Sequence, residues 1–375
     1  MQSFIDLDRT FGGQPRRLGV QLARLDVGRG REELFRDQLP ELLRALADET
    51  RVASITASNA IEGVIVDPSR AERLAEAGVE RRFRNRNERE FAGYRDAIDE
   101  IMRAPRLEPV SLPYILHLHR QMFRYADATG GHLKSDENLI VTFERGHREV
   151  LFTPPPPAQT EFLLGELVDR YRETGATGAA HSVVLVAAFV LDFLAIHPFA
   201  DGNGRVARLL TTHLLLERGY AVTRYVSVEK RIFDTKNAYY AALYESQRRW
   251  HEAGHDIWPW VGYLVGTLSD AYDDFEARVA ARRNLVGLSK QERVRQYVLF
   301  HAPRVFRMRD IRNALPGVSD ETIRLVLRGL KHAGQIDIDQ EAGGRGPRAA
   351  WSRLDSPTDS VKAGARATSR ARAPG

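Results

Sequence analysis

The 375-residue chain contains no cysteine. That absence excludes disulfide staples, thiolate zinc sites, iron–sulfur clusters and a cysteine nucleophile, and it suits a reducing compartment. Long apolar runs are lacking too. The longest, Val183 to Ile196, has 14 residues and contains Asp192, too short to cross a bilayer. The opening stretch, MQSFIDLDRTFGG, carries acids early and has no apolar signal-peptide core. These features predict a cytoplasmic protein with no membrane partner. There is no GxxxxGK[ST] phosphate loop and no GxSxG elbow, so nucleotide chemistry must use other residues.

The material for a core is present. Hydrophobic residues make up 43% of the chain, the proportion of an ordinary globular protein. The net charge of +5 is uneven. From Leu288 to Gly375, 17 Lys/Arg stand against 9 Asp/Glu, so a basic C-terminal part follows a mildly acidic body. That asymmetry predicts an appended module with its own partner.

Residues 1–30 are rich in Gly and Arg and predict an irregular arm. From Arg31 apolar residues recur at three- and four-residue steps, which predicts helices. Further helices are expected at about 48–59, 68–78, 85–102 and 112–123. ENLIVTF and EVLFT flank ERGHR and read as a β-hairpin, which the prolines 154–157 terminate. Helices resume at about 159–174 and 181–196, the latter apolar all round and therefore central. Others follow at about 204–218, 234–249 and 258–282. Near the end, VFRMRDIRNAL, PGVS and DETIRLVLRGLKHAG read as helix–turn–helix. QIDIDQ and RAAWSR around EAGGRGP add a small hairpin. Together they predict a winged helix-turn-helix. The tail from Ser356 has the composition of a disordered segment.

The densest chemistry is His197-Pro-Phe-Ala-Asp201-Gly202-Asn203-Gly204-Arg205-Val-Ala-Arg208. Pro198 stops the buried helix and a new one opens at the glycines. A helix N-terminus with Gly-Asn-Gly presents unpaired N–H groups and the positive dipole end, a seat for an anion. Arg205 and Arg208 add fixed positive charge. Asp201 is placed to bridge Mg²⁺ to a phosphate, and His197 titrates near neutrality and can serve as a base. A base, a metal carboxylate, an anion nest and two arginines are the parts needed for attack on a phosphate.

HPFADGNGRVAR resembles the signature of the Fic family, HPFx[DE]GNGRxxR, at every specified position, and the resemblance covers roughly residues 35–285. It implies an all-α, Fic-type helical bundle with one β-hairpin flap, followed here by the C-terminal winged helix. The implied division is 1–105 for an N-terminal helical region, 106–285 for the catalytic core, 286–355 for the winged helix and 356–375 for the tail. The implied reaction is transfer of AMP from ATP, with Mg²⁺, to a Ser, Thr or Tyr hydroxyl of a target protein, the chain itself among the candidates. In that reading His197 is the general base, Phe199 a buried anchor and Asp201 the Mg²⁺ ligand. Gly202, Asn203 and Gly204 cradle phosphate oxygens, Arg205 supports the phosphates and Arg208 reaches the γ-phosphate. Tyr239 and Tyr240, in NAYYAAL, bound the adenine, although adjacent tyrosines on a helix commonly divide between core and surface.

Upstream, Ser58-Asn-Ala-Ile-Glu62-Gly63 resembles the family's inhibitory helix, [ST]xxxE[GN]. The resemblance implies that Glu62 pairs with Arg208, occupies the γ-phosphate site and restrains the enzyme from within. Rival readings are removal of AMP from a modified protein at the same site, and a nucleotide-sensing DNA-binding regulator. The winged helix carries Arg324, Arg328 and Lys331 along one helix, with Gly343, Gly344, Arg345 and Gly346 in its wing. It reads as a DNA contact or, preferred because Asp320 and Glu321 lie at the helix tip, as a protein-docking surface. Relatives that pair through helices near the core leave a homodimer open. His251-Glu252-Ala253-Gly254-His255 fits the HExxH zinc pattern, with Glu276 as third ligand. Gly254 and Pro259 weaken the helix it needs, which favours a polar turn. His117 and His119 read as unrelated to the site.

Overall fold

The computed structural model describes residues 1–76, 82–126, 128–144, 147–283, 289–315, 317–339 and 349–354. The chain divides into two units, one of Met1–Gln38 with Leu46–Phe275, the other of Leu39–Ala45 with Glu276–Gly375. Among the described residues no helix is long and apolar enough to cross a membrane.

The first 38 residues are helical, not an irregular arm: a short turn at Gln2–Phe4, then α1 (Leu7–Gly12) and α2 (Arg16–Gln38). Asp6 caps α1 by accepting from the Arg9 N–H at 3.0 Å. The numerous arginines and glycines of α2 hide its period, yet Leu18, Leu22 and Leu25 are buried on one face. Gly28 continues that face, because a Cβ there would meet the Tyr272 ring at 2.7 Å. A glycine that dilutes the helical pattern in sequence is what lets the helix dock.

The rest of this unit contains α3 (Pro40–Ile61, shared with the other unit at its start), α4 (Pro68–Ala75), α5 (Arg86–Arg103), α6 (Leu112–Met122) and α7 (Pro157–Thr177). Then come α8 (Ser182–Ile196), α9 (Asn203–Glu217), α10 (Val228–Asp234), α11 (Lys236–Gln247) and α12 (Trp258–Arg283, assigned to the other unit from Glu276). The expected helix at 68–78 is described only to its end at Ala75, since residues 77–81 lie outside the described set. Caps fix the starts. Asn85 accepts from Glu88 N at 3.0 Å, and Ser111 from Tyr114 N at 3.2 Å. Every residue of α8 from Val183 to Ile196 is buried, which makes it the central rod around which α7, α9 and α11 pack. The hairpin pairs β1 (Ile140–Glu144) antiparallel to β2 (His147–Phe152), Val141 opposite Val150.

The second unit has its own core, which includes Val294, Val298, Ile311, Ile323, Leu327 and Leu330. It comprises α13 (Lys290–Gln296) running into a π-helical turn (Tyr297–His301), β3 (Val305–Arg307), α14 (Met308–Ala314), α15 (Asp320–His332), β4 (Ile336–Ile338) and β5 (Ala350–Arg353). Its sheet runs β3-β5-β4, all antiparallel. Residues Gly343 to Gly346, expected to form a wing, and the tail from Ser356 lie outside the described residues.

Candidate active site

The site is built where α8 ends and α9 begins. His197 closes α8 in the left-handed region, φ 50°, a conformation that costs a non-glycine residue about 1 kcal/mol or more. Its Nδ1 lies 3.2 Å from the Leu194 carbonyl. A carbonyl only accepts, so Nδ1 carries the proton and Nε2 keeps its lone pair. Burial pushes the His197 pKa down to about 4, with Lys134 acting the same way. The hydrogen bond to Leu194 and the Glu62 charge oppose them. The imidazole is therefore an uncharged base at neutral pH.

Phe199 is fully buried and stacks on His119, ring centroids 3.8 Å apart and planes 3° from parallel. His119 donates from Nε2 to the Asp201 carbonyl at 3.1 Å and accepts at Nδ1 from the Gly131 N–H at 2.8 Å. This corrects the expectation that His119 is unrelated to the site: it underlies the loop. The Asn203 side chain is also committed inside the loop. Its Oδ1 accepts from Phe199 N at 2.9 Å and its Nδ2 donates to Phe199 O at 2.7 Å. Any anion contact by Asn203 is left to its backbone N–H.

Gly202 precedes α9 with φ 83°, and a Cβ there would meet Met122 Cε at 2.4 Å. The positive φ favours glycine here, and a Cβ would in addition push the Met122 side chain aside. The first N–H groups of α9 have no acceptor within the helix. Asp201 is 61% exposed beside them, with Arg86 at 3.6 Å and Arg205 at 3.8 Å. Arg205 points away from solvent. Its Nη1 meets Glu90 of α5 at 2.6 Å, both side chains are 2% exposed, and the guanidinium lies over the Phe123 ring. Nothing in the sequence pattern singles out Glu90 as part of the site.

Arg208 is the buried cation at the other side. Its Nε donates to Ser58 Oγ at 2.8 Å, and its Nη2 to Ser58 O at 3.0 Å and Glu62 Oε1 at 2.8 Å. Its Nη1 is buried with no hydrogen-bond partner among the described residues. Glu62 follows the end of α3, where Gly63 turns the chain with φ 78°. Burial opposes the Glu62 charge, but Arg208, Arg205 and Lys236 outweigh it and hold the carboxyl below its usual range. A Cβ on Gly204 would meet Glu62 Oε1 at 2.3 Å. The carboxylate thus rests on the N-terminal turn of α9, the place where helix dipole and free N–H groups favour an anion.

Tyr239 and Tyr240 divide. Tyr239 is buried against Trp260 and Tyr263 with its hydroxyl toward Arg208, whereas Tyr240 is 43% exposed. Only Tyr240 offers a ring face to a ligand. The HExxH residues do not converge. Trp250–Glu252 is a 3₁₀ turn, His251 Nε2 bonds the Thr153 carbonyl, and His255 Nε2 bonds Ser3 Oγ. Among the described residues no group of three or more His, Cys, Asp or Glu is placed to hold a metal. A lone exposed carboxylate such as Asp201 does fit a Mg²⁺ that arrives on phosphates, since Mg²⁺ commonly takes one or two carboxylates plus substrate oxygens.

Residues 109–215 match the Fic/DOC family model. A probable protein adenylyltransferase of Aquifex aeolicus is 30% identical over 136 residues, 36% of this chain and 39% of that protein. Protein adenylyltransferase Fic of Drosophila melanogaster is 30% identical over 112 residues, 30% of this chain and 21% of that protein. The chain thus spans about two fifths or less of these relatives' lengths. A Fic family protein from Desulfovibrio desulfuricans shares the fold with TM-score 0.57 at 23% identity, covering 92% of this chain and 97% of that one. A Fic domain containing signaling protein from Bacteroides thetaiotaomicron does so with TM-score 0.53 at 22% identity, over 68% of this chain and 95% of that one.

Proposed function

We propose, for a chain whose residues 109–215 belong to the Fic/DOC family, the activity of a protein adenylyltransferase held in check by its own Glu62. The names of its relatives support that activity. The observation that carries the reading is the Glu62 carboxylate on Arg208 and the first turn of α9. A side chain that ion-pairs there stands where the terminal phosphate of ATP would bind, and Arg208 Nη1 keeps an unspent donor for it.

In this reading a target hydroxyl approaches His197 beneath the β1–β2 hairpin. Nε2 takes the hydroxyl proton as the oxygen attacks the α-phosphorus. The bond to the β-phosphate oxygen breaks and pyrophosphate leaves. The N–H groups of Asn203 and Gly204 and the Arg208 guanidinium hold the phosphates, the Gly202 N–H being taken by Asp201 Oδ1 at 2.6 Å, and Tyr240 bounds the adenine. Mg²⁺ bound with ATP would be held by Asp201 and would neutralise charge on the phosphates. Arg205, tied to Glu90, keeps positive potential under Asp201. With Glu62 in place, ATP can bind only with its phosphates displaced from alignment.

We further read residues 289–354 as a winged helix that docks protein. On α15, Arg324 and Lys331 face Asp320 and Asp337, and Arg312 holds Asp320 at 2.7 Å. Cations already neutralised this way give less attraction to a phosphate backbone.

The test is labelling with α-³²P-ATP and Mg²⁺, the wild type beside Glu62→Gly and Glu62→Gly/His197→Ala. Strong protein labelling by the single variant alone supports the reading. No labelling by any folded variant refutes it. Release of AMP from modified protein that requires Glu62 would identify the reverse reaction instead.

A further inference from the structure

The carbonyls from the last residue of α8 through the loop that follows it would ordinarily face water or a cap. Here four in succession are taken up by two residues of the segment before β1. Lys134 Nζ donates to Ile196 O at 3.2 Å and Lys134 N to Pro198 O at 2.9 Å. Asn138 Nδ2 donates to His197 O at 3.2 Å and to Phe199 O at 3.0 Å. The two are joined, Lys134 Nζ to Asn138 Oδ1 at 2.9 Å. Lys134 is 5% exposed, and no acidic partner is within ion-pairing distance of it among the described residues.

We infer that Lys134 and Asn138 are positioning residues for His197: they clamp the 196–199 main chain that carries its imidazole and set a fixed positive charge beside the ring. Three physical facts carry this. The left-handed His197 is strained and persists only where its surroundings over-determine it. An ammonium at a helix C-terminus meets the negative end of the dipole. Burying a lysine is costly and needs such acceptors, and burial pushes the Lys134 pKa down to about 8. The ammonium also disfavours a proton on His197, with Glu62 opposing it from the end of α3 and the Leu194 carbonyl from α8. The ring is thereby kept unprotonated at Nε2. The inference rests on the transferase reading for what His197 does, and the experiment separates the two.

Full-length protein labelled with ¹³C-histidine is titrated by NMR, the His197 signal assigned by its loss in His197→Gln. In Lys134→Met the His197 midpoint should rise by about half a pH unit or more, and Lys134→Arg should restore it. In the Glu62→Gly background, Lys134→Met should lower kcat about tenfold or more and move the acid limb of its pH profile upward, with ATP affinity by calorimetry unchanged. A folded Lys134→Met with the His197 midpoint and kcat of its parent overturns the inference. Should Lys134→Met fail to fold, Asn138→Ala tests the clamp with the ammonium retained. It should shift the His197 resonance and lower kcat, and no change in either overturns the inference. If Glu62→Gly itself shows no labelling, the transferase reading fails while the titration still decides the clamp.

Discussion

Replacing Glu90 by Gln should be among the most damaging conservative changes in the chain. The Glu90–Arg205 pair meets at 2.6 Å with both side chains 2% exposed. Breaking a buried pair by removing one partner costs about 3–5 kcal/mol, because the surviving charge is stranded. Glutamine keeps one acceptor oxygen, and Asp201 stands 3.8 Å from the stranded guanidinium, so the lower end, about 3 kcal/mol, is expected. Loss of the outer contact to Arg86, which is 70% exposed, adds less than about 1 kcal/mol. Against a typical domain stability of about 5–15 kcal/mol this is a large fraction.

The assay is urea unfolding followed by tryptophan fluorescence in a Trp351→Phe background. The other tryptophans, Trp250, Trp258 and Trp260, all lie in the unit that holds the site. The double variant Glu90→Leu/Arg205→Met should recover about 2 kcal/mol or more relative to the sum of its singles, since it removes both charges together. A Glu90→Gln loss below about 1 kcal/mol, or a double variant whose cost is simply additive, would refute the assignment of this pair as a stranded-charge hazard.

Two glycines should respond oppositely to alanine. At Gly93 a Cβ would meet the Met122 carbonyl oxygen at 2.0 Å, a backbone clash where α5 crosses α6, so Gly93→Ala should destabilise by about 2–3 kcal/mol. At Gly165, inside α7, nothing lies within 4 Å, and Gly165→Ala should stabilise by about 0.5–1 kcal/mol. Thermal melts of the two variants check both signs. Stability should also fall on mild acidification. Burial pushes His119, His197 and His213 down to about 4. Their contribution is therefore complete above the unfolded value near 6.5 and is lost as pH falls toward 4. Each adds a slope of about 1.4 kcal/mol per pH unit within that window. The melting temperature should drop between pH 6.5 and 4.5, and a flat profile there would contradict the buried, neutral state of these rings.

The parts of the site that are contiguous in sequence are legible from the sequence alone. The 197–208 run lies on one loop and one helix start, so spacing alone brings its groups together. Proline, glycine and an all-apolar stretch mark where α8 stops. Glu62 and Ser58 were legible only through the family resemblance, because nothing in spacing links α3 to α9. His119, Lys134, Asn138 and Glu90 were not read as site residues. Each reaches the loop from another element, and its chemistry there is directed at backbone carbonyls or at another side chain. His119 could have been suspected from its place in an amphipathic helix where an apolar residue is the norm. The helices of residues 1–38 were missed for a different reason. Arginine and glycine on α2 mask the Leu18, Leu22, Leu25 stripe, and the docking glycine at position 28 counts against a helix in any propensity sum.

The two arginines of the motif lie three residues apart on α9, and each faces a glutamate from an upstream helix, yet the pairs differ in kind. Glu90 comes from within α5 and is 2% exposed, so water cannot replace it at Arg205. Glu62 sits just past the end of α3, before a glycine turn, and is 32% exposed. Its departure uncovers Arg208 to solvent or to a ligand without opening a packed helix crossing. Once Glu62 has swung away, an anion gains the same guanidinium and the same helix terminus. No such exchange is open at Arg205 without stranding a buried charge. In the adenylyltransferase reading one motif thus carries a permanent ion pair and a replaceable one, and exposure of the glutamate is what distinguishes them.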